Sequence, residues 1–208
     1  MLDKQKSISS DTILQAATEL VRRLGEGKTS MVDIGRALGV SHAALYRLYP
    51  SKSAIMDAIV REAMDDEVEL ASTWLDQDGP AAERMLNMIL AIHHRKRSRF
   101  TGDREIHDLY RRIMVERQDM IRTYAERMTL LIGKLVAQGV DRGEWRVSDV
   151  SVAAGVVRDG VTPFIHPQFV ALAVDAGSPV EGQLRAMVTT LTKAFEAGVD
   201  YNTVPPQH

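Results

Sequence analysis

"GVSHAALYRLYPSK", residues 39–52, decides how the rest of the chain is read. It runs glycine, turn, short helix, proline stop, then a Ser-Lys that can open another helix. A helix-turn-helix needs two short helices at a steep angle, joined by a turn of three or four residues. The turn favours glycine, whose backbone takes positive φ without steric cost. The pattern predicts one helix over about 31–37, a turn at Leu38-Gly39-Val40 and a reading helix over about 42–48. Leu38, Val40 and Leu45 are placed to form the small core that locks the angle. A corner between two helices of an ordinary helical protein has the same layout, so the pattern alone leaves that alternative open. The reading helix also begins His42-Ala43-Ala44, and an alanine offers a base edge no hydrogen bond.

Outward from this stretch, nearly every segment has helical period, with few alternating runs. Ser10 can cap a first helix whose stripe is Ile13, Leu14, Ala17, Leu20, Val21 and Leu24, ended by Gly25. Thr29 or Ser30 caps the second helix, Ser41 the third, and Ser51 a long fourth, reaching residue 76 with Ile55, Ile59, Ala63, Val68, Ala71 and Leu75 inside. "QDGP" (77–80) breaks the chain, and Pro80 suits a helix start. A helix to about 97 follows. "FTGD" (100–103) breaks again, with Asp103 as a cap. A helix over 103–112 then leads into, or hinges before, one to about 140. Ser148 or Asp149 caps a helix that Pro163 and Pro167 interrupt. "DAGSP" (175–179) is a loop before a last helix, and the tail YNTVPPQH is expected to fray. The expected fold class is all-α, about nine helices.

Composition narrows the function. The chain has 208 residues, no cysteine and a net charge of −2. That excludes disulfides and thiolate chemistry, and argues against a protein that coats nucleic acid nonspecifically. Charge is uneven: residues 1–61 hold nine Lys/Arg against six Asp/Glu, and the remainder 17 against 22. A basic head on an acidic body points to where DNA would go. The opening MLDKQKSISS has no apolar h-region, so no secretory signal is expected. No apolar run approaches the ~18 residues of a membrane span. No membrane association and a cytoplasmic protein are the expectation.

Residues 10–61 resemble the DNA-binding head of the TetR family of bacterial regulators. The resemblance rests on "ILQAATEL" (13–20), "TSMVDIGRALGVS" (29–41) and "LYRLYPSKSAIMDAIV" (45–60). Asp33-Ile34, Gly39-Val40-Ser41, Leu45-Tyr46 and Ser51-Lys52 fall at the family's spacing. "GEWR" (143–146) and "HP" (166–167) are similar, more loosely, to the end of the family's regulatory domain. The resemblance implies a three-helix head over 1–50, joined by a connecting helix (51–76) to a ligand-sensing and dimerisation body within 51–208.

It also implies roles. Thr29 or Ser30 at a helix N-terminus would offer a hydroxyl and an amide to phosphate. Ser41 opens the reading helix beside the same backbone. Tyr46 and Lys52 match the family's phosphate-contacting tyrosine and lysine. Base reading would fall to His42, Ala43, Ala44 and Arg47, with alanine methyls against thymine methyls. Where the family often has glycine and then threonine or serine, this chain has Ala43 and Ala44. Leu48-Tyr49 stands where His-Phe is common. These departures remove polar contacts and leave the operator sequence open. The alternatives are a core aromatic for Tyr46 and plain surface charges for Arg47 and Lys52.

For the body, the resemblance implies double-stranded operator DNA, a homodimer through helices near 149–162 and 180–197, and a small-molecule inducer. Trp74, Met88, Ile92, Met120, Tyr124, Met128 and Phe164 are the candidate pocket residues, each with plain core packing as the alternative. Inducer binding would move helix 51–76 and change the spacing of the two heads.

Other chemistry finds little support. "RRLGEGKT" (22–29) ends like a phosphate-binding loop but lacks the first glycine and the preceding strand. G-x-S-x-G and H-E-x-x-H are missing, and no catalytic residue, cofactor or metal is expected. "HHRKRSRF" (93–100) reads as the solvated basic end of a helix, suited to the negative helix C-terminus; His93, His94 and His107 have no assigned role. The competing readings are a helix-turn-helix regulator without an inducer, and a helical enzyme that shares the head's pattern.

Overall fold

A computed structural model of the protein describes residues 8–203. Ten α-helices run in order: α1 (Ser10–Leu24), α2 (Met31–Leu38), α3 (His42–Tyr46), α4 (Lys52–Ser72), α5 (Ala81–Gly102), α6 (Arg104–Glu116), α7 (Gln118–Asp141), α8 (Val150–Ile165), α9 (Pro167–Asp175) and α10 (Val180–Ala197). Among the described residues no strand forms, and an isolated bridge pairs Val147 with Val199. The all-α expectation holds, with ten helices instead of about nine.

The caps explain most boundaries. Ser9, not Ser10, caps α1 by accepting from the Thr12 amide, and Gly25 ends that helix at φ 79°. Ser51 caps α4, and Asp149 accepts from the Ser151 and Val152 amides to cap α8. α5 runs to Gly102, five residues beyond expectation. Pro163 does not interrupt α8. It removes one N–H near the helix end, and the Thr162 hydroxyl bonds back to the Arg158 carbonyl at 2.8 Å one turn earlier. Pro167 occupies the first turn of α9, where its missing donor costs nothing. The expected fraying fails for Tyr201–Thr203, which form a 3-10 turn after Val199 bonds to Arg146 and Ser148. The rest of that tail, 204–208, lies outside the described residues.

Two apolar clusters make the core. One joins α1, α2, α3 and the first half of α4 to α6, through residues such as Ile13, Ile34, Leu45, Ile55 and Tyr110. The other packs α5, α7, α8 and α10 around Met88, Ile132, Leu135, Val157 and Phe195. Each fully buried Leu, Ile or Phe contributes about 1.5–3 kcal/mol relative to exposure. Trp145 of the "GEWR" segment lies against Gly139 of α7 so closely that an added Cβ would sit 2.4 Å from its ring.

Between the clusters lies a charged centre. Glu67 (α4) is 0 % exposed and accepts from Lys96 at 2.7 Å, Arg99 at 2.7 Å and the Tyr124 hydroxyl at 2.7 Å. The Tyr110 hydroxyl stands 3.5 Å away. The stretch 93–100 is therefore solvated on one face only, with His94, Arg95, Arg97 and Ser98 exposed. His93, Lys96 and Phe100 are buried, and His93 Nδ1 meets the Phe164 carbonyl at 2.7 Å. Burial pulls the Glu67 carboxyl upward, but Lys96 and Arg99 outweigh it and hold it below its ordinary value.

Two ion pairs tie the N-terminal helices to the rest and two more tie α4 to the α6–α7 segment. Arg22 meets Asp103 at 2.7 Å, Arg112 meets Glu26 at 2.6 Å, Arg117 meets Asp57 at 2.5 Å, and Arg127 pairs with Asp65.

Candidate nucleic-acid interface

The reading end is built from capped turns. Ser30 caps α2 in a capping box: its hydroxyl accepts from the Asp33 amide at 3.2 Å, and Asp33 Oδ2 accepts from the Ser30 amide at 3.2 Å. The Ser30 hydroxyl also donates to Asp33 Oδ2 at 2.5 Å, which holds that carboxyl below its ordinary value. Gly39 takes the left-handed conformation the turn needs, φ 64° and ψ 30°. Gly35 sits where an added Cβ would come 3.3 Å from the Val40 carbonyl oxygen, so a small residue lets the two helices approach. Leu45 is 0 % exposed, and Leu38 and Val40 pack around it. The predicted locking core is in place.

α3 is shorter than expected. It covers His42–Tyr46, and Arg47 and Leu48 follow as a turn. Five residues make little more than one helical turn, so the outward face is narrow. Ser41, His42, Ala43, Tyr46 and Arg47 are exposed on it. The Tyr46 ring is 44 % exposed and meets the His42 ring edge-on at 4.6 Å. A core role for Tyr46 is thereby set aside.

Other candidates are not brought to that face. Ala44 is 7 % exposed, so its methyl does not stand ready for a base. Thr29 is 2 % exposed and its hydroxyl donates to the Gly25 carbonyl at 3.0 Å, so it is spent inside the turn. Ser30 is half-buried, its hydroxyl and amide both engaged by Asp33. Lys52 is half-buried too, and its ammonium donates to the Glu26 carbonyl at 2.5 Å. An ammonium has three donors, so two remain for a phosphate.

The structure adds residues the sequence reading passed over. Lys28 and Leu48 are exposed, and Val32 is 55 % exposed on α2. Lys28 was legible as a charge next to Ser30. Leu48 was noted only for the polar contact it removes, since an apolar residue there reads as core.

The seven pocket candidates do not line one cavity. Met88, Ile92 and Met128 are packed in the body core, and Trp74 and Phe164 are half-buried against it. Met120 and Tyr124 line a cleft of about 220 Å³ between α4 and α7. Among the described residues no group of three or more His, Asp or Glu could hold a metal ion.

Residues 13–59 match the family described as "Bacterial regulatory proteins, tetR family", and residues 81–193 match "Tetracyclin repressor-like, C-terminal domain". Nucleoid occlusion factor SlmA of Vibrio atlanticus is 28 % identical over 99 residues, 46 % of this chain and 50 % of that protein. The chain thus spans about half the length of the curated relatives it matches. SmeT, the repressor of the Stenotrophomonas maltophilia multidrug efflux pump SmeDEF, superposes with a TM-score of 0.64 at 17 % identity, over 96 % of this chain and 95 % of that one. A TetR/AcrR-family regulator from Thermobifida fusca gives 0.58 at 24 % identity, over 91 % and 97 %. These likenesses establish a shared fold.

Proposed function

The chain belongs to the TetR family of bacterial regulatory proteins, and on that premise we propose that it is a repressor, bound as a homodimer to a palindromic operator and released by a small-molecule inducer. It is a DNA-binding transcriptional regulator by family and fold. The observation that carries the finer reading is the exposed row His42, Ala43, Tyr46 and Arg47 on a helix locked by the Gly39 turn. In this reading residues 1–50 contact DNA and residues 51–208 sense and dimerise, with α4 as the lever between them.

The division of labour follows from chemistry. Tyr46, Lys28 and the free donors of Lys52 hold phosphates, together with the Ser41 end of α3. Such contacts set register without reading sequence. His42 and Arg47 reach base edges, and Ala43 supplies a methyl for a thymine. Thr29 and Ala44 take no part, since both are buried.

The outer faces of α8 and α10 support a dimer. Val152, Val156 and Met187 are 43 %, 38 % and 37 % exposed, an unusual apolar run on two adjacent helices. Gly160 lets α10 approach, with Leu191 Cδ1 at 3.4 Å from an added Cβ. A two-fold dimer matches an operator whose half-sites lie about one DNA turn apart, or a multiple. We assign the protein to the bacterial cytoplasm, where its DNA lies; no helix among the described residues is long and apolar enough to cross a membrane.

A second reading, a regulator without an inducer, is favoured by the tight packing of Met88, Ile92 and Met128. Selection from random duplexes tests the main reading. Enrichment of an inverted repeat by the full protein, altered by His42→Ala and weakened by Arg47→Ala, is expected. Recovery of no preferred sequence would remove the operator reading. Release of that operator by a small molecule separates the first reading from the second.

A further inference from the structure

The charged centre around Glu67 is not balanced. Lys96 is 3 % exposed and Arg99 12 %, and the two cations share one carboxylate. Among the described residues no other carboxylate bonds to either. The buried set therefore carries one positive charge more than it neutralises. Burial and the neighbouring Arg99 both push Lys96 toward its neutral form, while Glu67 opposes them. His107, which also senses both cations, is held neutral at ordinary pH by its own burial.

The two oxygens of Glu67 serve different partners. Oε1 takes Arg99, whereas Oε2 takes Lys96 and the Tyr124 hydroxyl. Tyr124 is also the wall of the α4–α7 cleft, with Met64 and Met120 beside it. The cleft's four charged residues, Arg61, Asp65, Asp119 and Arg127, cancel one another. Moving inward from the surface, a ligand meets thioethers and a ring first. Lys96 Nζ stands 5.3 Å from the centre of that ring.

We propose that Lys96 and Tyr124 receive the carboxylate of a small acid with a short apolar body, which enters along Met64 and Met120 and takes both groups from Glu67 Oε2. This rests on the ligand-responsive reading above and names the class of ligand. Glu67 keeps Arg99, so two neutral pairs replace one carboxylate shared by two cations. No charge is left unmatched, which is the condition for holding ions in a dry interior. The cleft of about 220 Å³ is smaller than the ~300–1,000 Å³ usual for drug-sized ligands, so the acid is small. The exchange frees α4 from its Lys96 and Tyr124 ties, and α4 begins at the reading end.

Calorimetry and thermal melting of the full-length protein, without DNA, test this. The probes are sodium butyrate, hexanoate and octanoate, with hexanol, inorganic phosphate and sodium chloride as controls at matched ionic strength. Hexanoate is expected to bind and raise Tm where hexanol does not. Lys96→Met, which leaves the Glu67–Arg99 pair intact, weakens binding at least about tenfold, and Tyr124→Phe about fivefold. The proposal is overturned if no acid raises Tm beyond sodium chloride, or if phosphate binds as tightly as hexanoate. Unchanged hexanoate affinity in Tyr124→Phe also overturns it, and decides the matter should Lys96→Met not fold. None of these readouts needs an operator, so failure here is distinct from failure of the repressor reading.

Discussion

The Lys52 ammonium donates to the Glu26 carbonyl at 2.5 Å, so the first residue of α4 is tied to the turn that leads into α2. One side chain thus braces this end of the fold and, in the proposed reading, keeps two donors for DNA. Lys52→Met should show both effects. Tm falls, reflecting a loss of about 1 kcal/mol. The slope of log affinity against log salt also flattens by about one unit. A flattened slope with Tm unchanged would refute the bracing role.

Ala43 and Ala44 are neighbours with opposite environments. Ala44→Leu overpacks a buried site and should cost about 1–3 kcal/mol. Ala43→Leu stands outside that site, so its stability change stays within about 0.5 kcal/mol. It should instead shift the selected sequence at one position of each half-site. Denaturant melts and duplex selection on the two variants check the pair; equal destabilisation by both would contradict the orientation of α3.

His107 gives a pH signature. Burial lowers its pKa from 6.5 to about 4, with Arg111, Arg99 and Lys96 adding to the shift and Asp108 opposing it. Its ring packs edge-on against Phe100 at 4.8 Å. The unfolded chain takes up the proton first as pH falls. Stability is therefore complete above about pH 6.5 and declines toward pH 4, by about 3 kcal/mol at most. His107→Phe should flatten that decline in urea melts between these pH values. A decline of the same size in the variant would place its origin elsewhere.

The apolar faces of α8 and α10 predict the assembly. Val156→Glu combined with Met187→Glu puts charge on the exposed apolar surface without touching the body core. Sedimentation should change from dimer to monomer, with operator affinity lost in parallel. A double variant that still sediments as a dimer would move the interface to another face.

Much of the fold was legible because caps and periods are local. Ser30, Ser51, Gly25 and Gly39 act within a few residues, and each does what its type predicts. Ser9 and Ser10 compete for the same role, and only geometry separates them. Pro163 misled because the cost of an internal proline depends on how near the helix end lies. At the candidate site, exposure of His42 and Tyr46 followed from their spacing, but burial of Ala44 did not. With α3 barely more than one turn long, a single residue changes which side faces outward. The centre at Glu67 was least legible. Glu67, Lys96, Arg99, Tyr110 and Tyr124 come from four helices, and apart from Tyr124, a pocket candidate, each alone reads as a surface or filler residue. Only tertiary packing brings a buried carboxylate to two cations.

The Arg22–Asp103 and Arg112–Glu26 pairs, backed by two between α4 and the α6–α7 segment, give ionic strength two targets. Raised salt displaces the protein from phosphates, and it also weakens partly exposed ion pairs that position the reading end. A salt titration of operator affinity would therefore count more ions than there are phosphate contacts. The surplus, read as the slope that persists when phosphate-contacting residues are neutralised, would report how firmly the rest of the molecule holds its DNA-reading end.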